Sequence, residues 1–143
     1  MSIIFSRRCE YALQAVSYLA LQPAGKRTSI KELARKLKIP YYFLAKIFQD
    51  LTYKKLLVSQ KGPSGGFALS LPPDKITLFH IVEAIDGSGF ANKCVMGFPK
   101  CSGKSPCAVH THWARMREGI YSMLVSENIA EMAKAMKRPE YRL

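Results

Sequence analysis

The chain has 143 residues, of which 48% are apolar and 22% charged, with a formal net charge of +12. That length and apolar content suit one ordinary domain, or one domain with an appended dimerisation segment, and exclude a disordered tail. No stretch approaches the roughly 18 consecutive apolar residues that span a bilayer, and no nucleophile–base–acid set points to an enzyme.

The segment from Ser6 to Leu21 reads as a first amphipathic helix with Ala12, Val16, Leu19 and Ala20 along one face. Arg7 and Arg8 before the run Tyr11–Leu21 imitate a secretion signal, but Glu10, Gln14 and Ser17 interrupt it. The chain is therefore expected to stay in a reducing cytoplasm, where its four cysteines serve as ligands, sensors or core residues rather than disulfide partners. Cys9, alone on this helix, reads as a packed core thiol. Pro23-Ala24-Gly25 ends the helix.

Ser29 is placed to cap a short helix, Ile30 to Leu37, with Glu32 as its capping-box partner and Ile30, Leu33, Ala34 and Leu37 inward. After the break at Lys38-Ile39-Pro40, a second helix is expected from about Tyr41 to Lys55. Leu44, Ile47, Phe48 and Leu51 form its buried stripe, and Tyr42, Ala45, Lys46 and Gln49 lie opposite. Two short helices joined by three or four residues are the helix-turn-helix pattern, whose second helix enters the major groove.

A strand around Leu57 to Gln60, a glycine-rich tip Lys61-Gly-Pro-Ser-Gly-Gly66 and a strand from Phe67 to Leu71 predict a β-hairpin wing, with Phe67, Leu69 and Leu71 on the buried face. Gly62, Gly65 and Gly66 permit close backbone approach, and Lys61 and Ser64 can face phosphates or a minor groove. The tip lacks the Gly-Lys-Ser/Thr ending or following helix of a nucleotide loop. A helix from Thr77 to Asp86 follows, with Leu78, Ile81, Val82 and Ile85 inward, Gly87 as its stop, and His80 without a sequence partner.

Residues 88–106 form a loop rich in Gly, Ser, Pro and Lys, and from Pro106 a long helix is expected. Its Val109, Trp113, Met116, Ile120 and Met123 step by four, three, four and three, a seam suited to dimerisation, though a face buried within one chain leaves the same pattern. A last helix, Glu127 to Met136, is expected to start at a Ser126 cap. The fold class is thus mainly α with a small β-hairpin wing: a winged helix-turn-helix plus a long C-terminal dimerisation helix. Residues 1–75 form the DNA-binding domain, and 76–143 the linker helix, cysteine loop and dimerisation helices. Residues 1–75 carry 13 Lys/Arg against 4 Asp/Glu (+9), and 76–143 carry 9 against 6 (+3), so the first half is the polyanion-facing one. Charge by itself does not separate DNA from RNA or anionic lipid.

Cys94, Cys101 and Cys107 are spaced C-x6-C-x5-C, with His110 three residues on. A helix starting near Pro106 would put Cys107 and His110 on one face, within reach of one metal. Lys93, Lys100 and Lys104 favour the thiolates that metals need. Three thiolates and an imidazole suit iron–sulfur or zinc, although structural zinc favours tighter cysteine pairs. Redox thiols remain the alternative reading. His112 is expected to face solvent.

The wing Lys61–Phe67, the helix Ile81–Gly87 and the segment Cys94…Cys101…Cys107-Ala-Val-His110-Thr-His-Trp113 together resemble the Rrf-two-type (BadM-like) winged-helix regulators, the group that includes IscR and NsrR. The resemblance runs from Ser6 to Ala135. It implies a homodimer on an imperfect palindrome of double-stranded DNA, with the helix from Tyr41 reading the major groove and the wing beside it. The DNA-facing positions would be Ser29, Tyr41, Tyr42, Ala45, Lys46, Gln49, Lys61, Gly62, Ser64 and Gly65. It further implies that Cys94, Cys101 and Cys107 hold an iron–sulfur cluster, 2Fe–2S in preference to 4Fe–4S. His110 matches the fourth ligand of IscR-like members, and Glu10, from the partner subunit, that of NsrR-like members; His110 is the first choice. The first cysteine gap is one residue longer than the family's usual C-x5-C-x5-C, and Ala45 stands where IscR-like members can carry a glutamate that selects DNA sites. The function expected is a transcription regulator, as a repressor, sensing redox state, nitric oxide or iron. The alternative is the same fold using its cysteines as a zinc site or thiol switch; an RNA-binding or membrane-surface module is a third reading.

Overall fold

A computed structural model describes residues 4–87, 89 and 93–137. Part of the expected cysteine loop (88 and 90–92) and the last six residues, 138–143, lie outside the described residues, as do 1–3. Helix α1 spans Arg7–Leu21; the extended Ser6 before it accepts the Cys9 amide on its hydroxyl, 3.1 Å away. Helix α2, Ile30–Leu37, starts at Ser29, whose hydroxyl accepts the Glu32 amide at 3.1 Å. It ends where Lys38 turns left-handed (φ 55°) and donates its N–H to the Ala34 carbonyl. Helix α3, Tyr41–Tyr53, follows Pro40 directly. It stops two residues short of the expected Lys55, because Lys55 adopts φ 64°, a conformation that cannot continue a right-handed helix.

Strands β1 (Leu57–Gln60) and β2 (Gly66–Leu69) pair antiparallel, with Leu57 opposite Leu69 and Gln60 opposite Gly66. The expected extension of β2 to Leu71 fails. Ser70 instead turns back to Lys55 and Leu56, donating its N–H to the Leu56 carbonyl, and Leu71 is left 47% exposed rather than buried. The hairpin is joined to the loop before α2 by a two-way bridge: the Thr28 amide donates to the Phe67 carbonyl (2.9 Å) and the Phe67 amide to that of Thr28 (2.8 Å).

Helix α4, Leu78–Asp86, begins with a capping box that the sequence reading missed. His80 does have a partner: its Nδ1 accepts the Thr77 amide at 3.1 Å, and its own amide donates to the Thr77 hydroxyl at 3.3 Å. Helix α5 runs His110–Ser126 and α6 Ile129–Met136. Both start later than expected. Cys107–His110 form a turn closed by the His110 amide on the Cys107 carbonyl. For α6 the cap is Asn128, which accepts the Glu131 amide, while Ser126 is still helical in α5 and donates to the Met123 carbonyl.

The core is continuous across all these helices. Leu44, Ile47, Phe48 and Leu51 of α3 are fully buried, as their spacing predicts, against Leu33 of α2 and Cys9, Ala12 and Val16 of α1. Ile81, Val82, Leu124 and Ile129 extend the same cluster into the second half. Alanines at 12 and 15 let α1 lie close to its neighbours. Thr28 is 0% exposed, and among the described residues its hydroxyl has no hydrogen-bond partner. Thr28→Val keeps the shape and removes that unpaired group, so thermal or urea unfolding should show a gain of about 1 kcal/mol.

Candidate nucleic-acid interface and cysteine site

The α3 stripe that buries Leu44 and Ile47 forces the other face outward. Tyr41 is 48% and Tyr42 86% exposed, Lys46 and Gln49 are exposed, and Ala45 is half-buried. The two tyrosine rings meet edge to face, 5.6 Å between centroids. At the α2 start Ser29 is exposed, its hydroxyl already engaged by the helix cap. Lys61, Gly62 and Ser64 are exposed at the wing tip, with Gly65 half-buried beneath. The wing is seated on the helices by the Thr28–Phe67 bridge and by Phe67 against Phe48, 5.0 Å between ring centroids. Thr28 was not foreseen as a structural link, since nothing in a lone threonine signals a backbone bridge 39 residues away.

Lys46 does not project freely. Its Nζ lies 3.5 Å from Asp50, one turn along α3, and Asp50 also receives Arg8 from α1. Such exposed pairs are worth little and yield readily to a stronger anion. Lys61→Ala should weaken DNA binding nearly evenly across sequences and reduce the slope of log affinity against log salt by about 1, whereas Lys46→Ala should act partly through sequence preference. Fluorescence titration at several salt concentrations separates them, and unchanged affinity and slope in both would remove α3 and the wing from the interface.

Cys94, Cys101, Cys107 and His110 line a single open hollow of about 210 Å³, together with Phe98, Lys100, Ser102, Ser105 and Pro106. Cys107 precedes α5, so the expected shared helical face is not what brings it to His110. The turn Cys107–His110 does that. Within the hollow one contact between donors is within hydrogen-bond reach: Cys101 Sγ lies 3.4 Å from His110 Nδ1. Among the described residues no three of them converge on one point as a single metal ion requires. Backbone amides hold the Cys94 thiol below its ordinary pKa, that of Phe98 foremost, with Met96, Gly97 and the Cys107 side chain adding to it.

Glu10 does not line this hollow; it pairs with Arg7 on α1 at 3.3 Å. Cys9 is fully buried, and burial first, then the charges of Asp86 and Glu10, push its thiol up to about 12, which keeps it protonated and inert. His112 is exposed, as expected. Of the five seam residues, Val109, Met116 and Met123 are exposed at 37%, 61% and 43%. Ile120 packs instead against the core, and Trp113 turns its indole N–H to the Lys93 carbonyl, 2.8 Å away. Among the described residues, no helix is long and apolar enough to cross a membrane.

The chain is 36% identical over 132 residues to a protein of Aquifex aeolicus (strain VF5) described as an HTH-type transcriptional regulator, covering 91% of each. It is 30% identical to the HTH-type transcriptional regulator IscR of Aliivibrio salmonicida (strain LFI1238), over 85% of this chain and 72% of that relative. Among solved structures it superposes on CymR (YrzC), the global cysteine regulator of B. subtilis, with a TM-score of 0.79 at 23% identity, covering 92% of this chain and 96% of CymR. It also superposes on T. potens IscR, with a TM-score of 0.72 at 22% identity, covering 91% and 85%. These likenesses share the helical architecture with its two-stranded wing. The Rrf2 family model, described as an iron-dependent transcriptional regulator, matches residues 5–135. The chain therefore belongs to the Rrf2 family, and is a winged-helix, DNA-binding transcription regulator rather than an enzyme.

Proposed function

We propose that this regulator senses redox state, nitric oxide or iron through an iron–sulfur cluster held by Cys94, Cys101, Cys107 and His110, and acts as a repressor. The observation that carries the reading is the gathering of all four donors around one hollow, in a family described by its iron dependence. A cluster offers more than one iron, so its ligands need not converge on one point. Four protein donors around one hollow supply two for each of two irons, the number that suits 2Fe–2S. A single zinc ion would draw four donors to about 2.3 Å of one centre, which this arrangement does not approach. The cluster, when bound, supplies an electron-accepting and NO-reactive centre. The chain's own part is to present three cysteine sulfurs and an imidazole around one hollow, with Phe98 and Pro106 beside them. His110 lines the hollow, which favours it over Glu10; Glu10 would have to arrive from a partner subunit.

In this reading residues 1–75 form the reading head and 76–143 the sensing half, and two copies pair along α5 through Val109, Met116 and Met123. Tyr41, Tyr42, Ala45, Lys46 and Gln49 face the major groove of a palindromic half-site. Ser29 and the wing residues Lys61, Gly62, Ser64 and Gly65 face the backbone, and half-sites lie near one helical turn apart, roughly 34 Å. Occupancy of the hollow stiffens the loop against α5 and so biases the spacing of the two heads. A second reading, a thiol switch without a cluster, draws on the three free thiols of Cys94, Cys101 and Cys107 around the same hollow. Anaerobic purification with a visible spectrum and iron and sulfide analysis decides between them: a coloured protein with iron and sulfide supports the cluster. A colourless, iron-free protein that binds its site normally would end it.

A further inference from the structure

We propose that Trp113 is a positioning residue for Cys94, clamping the peptide that precedes it to helix α5. The identification of Cys94 as a cluster ligand rests on the function proposed above; the clamp itself does not.

The Lys93 carbonyl accepts two hydrogen bonds from α5. The indole Nε1–H of Trp113 donates at 2.8 Å and the Arg117 guanidinium at 3.4 Å. That carbonyl belongs to the peptide plane joining Lys93 to Cys94, so fixing it leaves the Cys94 thiol few ways to move other than its own torsions. His110, Trp113 and Arg117 are spaced i, i+3 and i+7, which puts them on one face of α5. His110 meets Cys101 at the top of that face, while Trp113 and Arg117 grip the loop beside Cys94 one and two turns further on.

Residues 93–109 contain no helix or strand, and among the described residues their remaining hydrogen bonds are short-range, such as the Gly97 amide on the Cys94 carbonyl and the Ser105 amide on that of Ser102. Among the described residues, this face of α5 therefore supplies the long-range side-chain ties that locate the loop. A loop held this way presents preplaced thiols instead of having to order them when metal arrives, and displacement at Cys94 is passed directly to α5. Trp113 read from sequence as a seam residue, but its N–H is engaged within its own chain. Trp113→Phe keeps an aromatic ring and deletes only the donor.

The test uses the full-length protein in two states. In the reduced, metal-free protein, hydrogen–deuterium exchange is followed for amides of 93–109 and, as internal reference, of α1 and α3. Trp113→Phe and Arg117→Met should speed exchange in the loop by about 3-fold to 10-fold, as expected for one net hydrogen bond, with α1 and α3 unchanged. In the anaerobically reconstituted protein, the same variants should release iron to a chelator faster by a similar factor while remaining the same oligomer by light scattering. Loop exchange equal to wild type in Trp113→Phe overturns the clamp. So does acceleration spread equally over α1 and α3, which would mean a general packing role. If wild-type protein takes up no iron, the cluster reading falls, and the exchange measurement still decides the clamp.

Discussion

Replacing Gly66 with alanine is expected to detach the wing and lower affinity for duplex DNA by at least about 10-fold, while leaving the helices folded. Gly66 has φ +147°, a conformation that side chains rarely adopt, and a Cβ there would stand 2.6 Å from the Thr28 carbonyl carbon and oxygen. Those are backbone atoms in the bridge that seats the hairpin, so they cannot yield as the end of a long side chain would. Relieving the clash means opening the Thr28–Phe67 pair, two hydrogen bonds of 2.9 and 2.8 Å. Strain of this kind costs roughly 1–3 kcal/mol, and the lost bridge adds to it. Gly62 provides the contrast: its φ is +107°, but nothing lies within 4 Å of a Cβ there, so Gly62→Ala should cost the backbone strain alone, roughly 1–3 kcal/mol, and leave the wing seated. Circular dichroism and DNA titration of the two variants check the ranking. Equal DNA affinity in Gly66→Ala and wild type would mean that the wing does not take part in binding.

Cys101→Ala is expected to reduce iron and sulfide in anaerobically prepared protein to background, with loss of the visible spectrum. In the proposed site Cys101 is one sulfur ligand and, through its 3.4 Å contact, locates His110 Nδ1, so its removal takes away one ligand and loosens another. The metal-free fold should be nearly indifferent, within about 0.5 kcal/mol, because Cys101 is half-buried outside the core cluster. Cys9→Ala should behave in the opposite way: full iron content, and a measurable loss of stability from a side chain that is 0% exposed within the core. His110→Ala and Glu10→Gln, measured alongside, identify the fourth ligand. Unaltered iron content in Cys101→Ala would sink the cluster assignment.

The two halves of the molecule were legible to different degrees. Where the chain alternates apolar and polar residues with a helical period, the inward set is dictated by burial, and Leu44, Ile47, Phe48 and Leu51 lie in the core as their spacing requires. The β1 limits, Leu57–Gln60, also follow from local pattern. Helix starts after the core segments were misplaced, because Ser126 and Asn128 are both good caps. The choice between them falls to the Leu78 amide on the Glu127 carbonyl and the Ile129 amide on the Ile76 carbonyl, contacts across some 50 residues. His80 shows the same limit in small, for its ring completes a capping box more often built with Glu or Gln.

From sequence alone come the basic reading half, the helix-turn-helix with its glycine wing, and the three cysteines with His110, since composition, period and spacing are properties of the chain itself. Tertiary structure decided which surfaces these make. It set the wing on Thr28 through a backbone bridge, joined four donors around one hollow by a turn instead of a helix, and tied the Trp113 indole to the Lys93 carbonyl. Backbone carbonyls and amides are common to nearly every residue and leave no mark in the order of side chains, so the contacts they make appear only once the chain has folded.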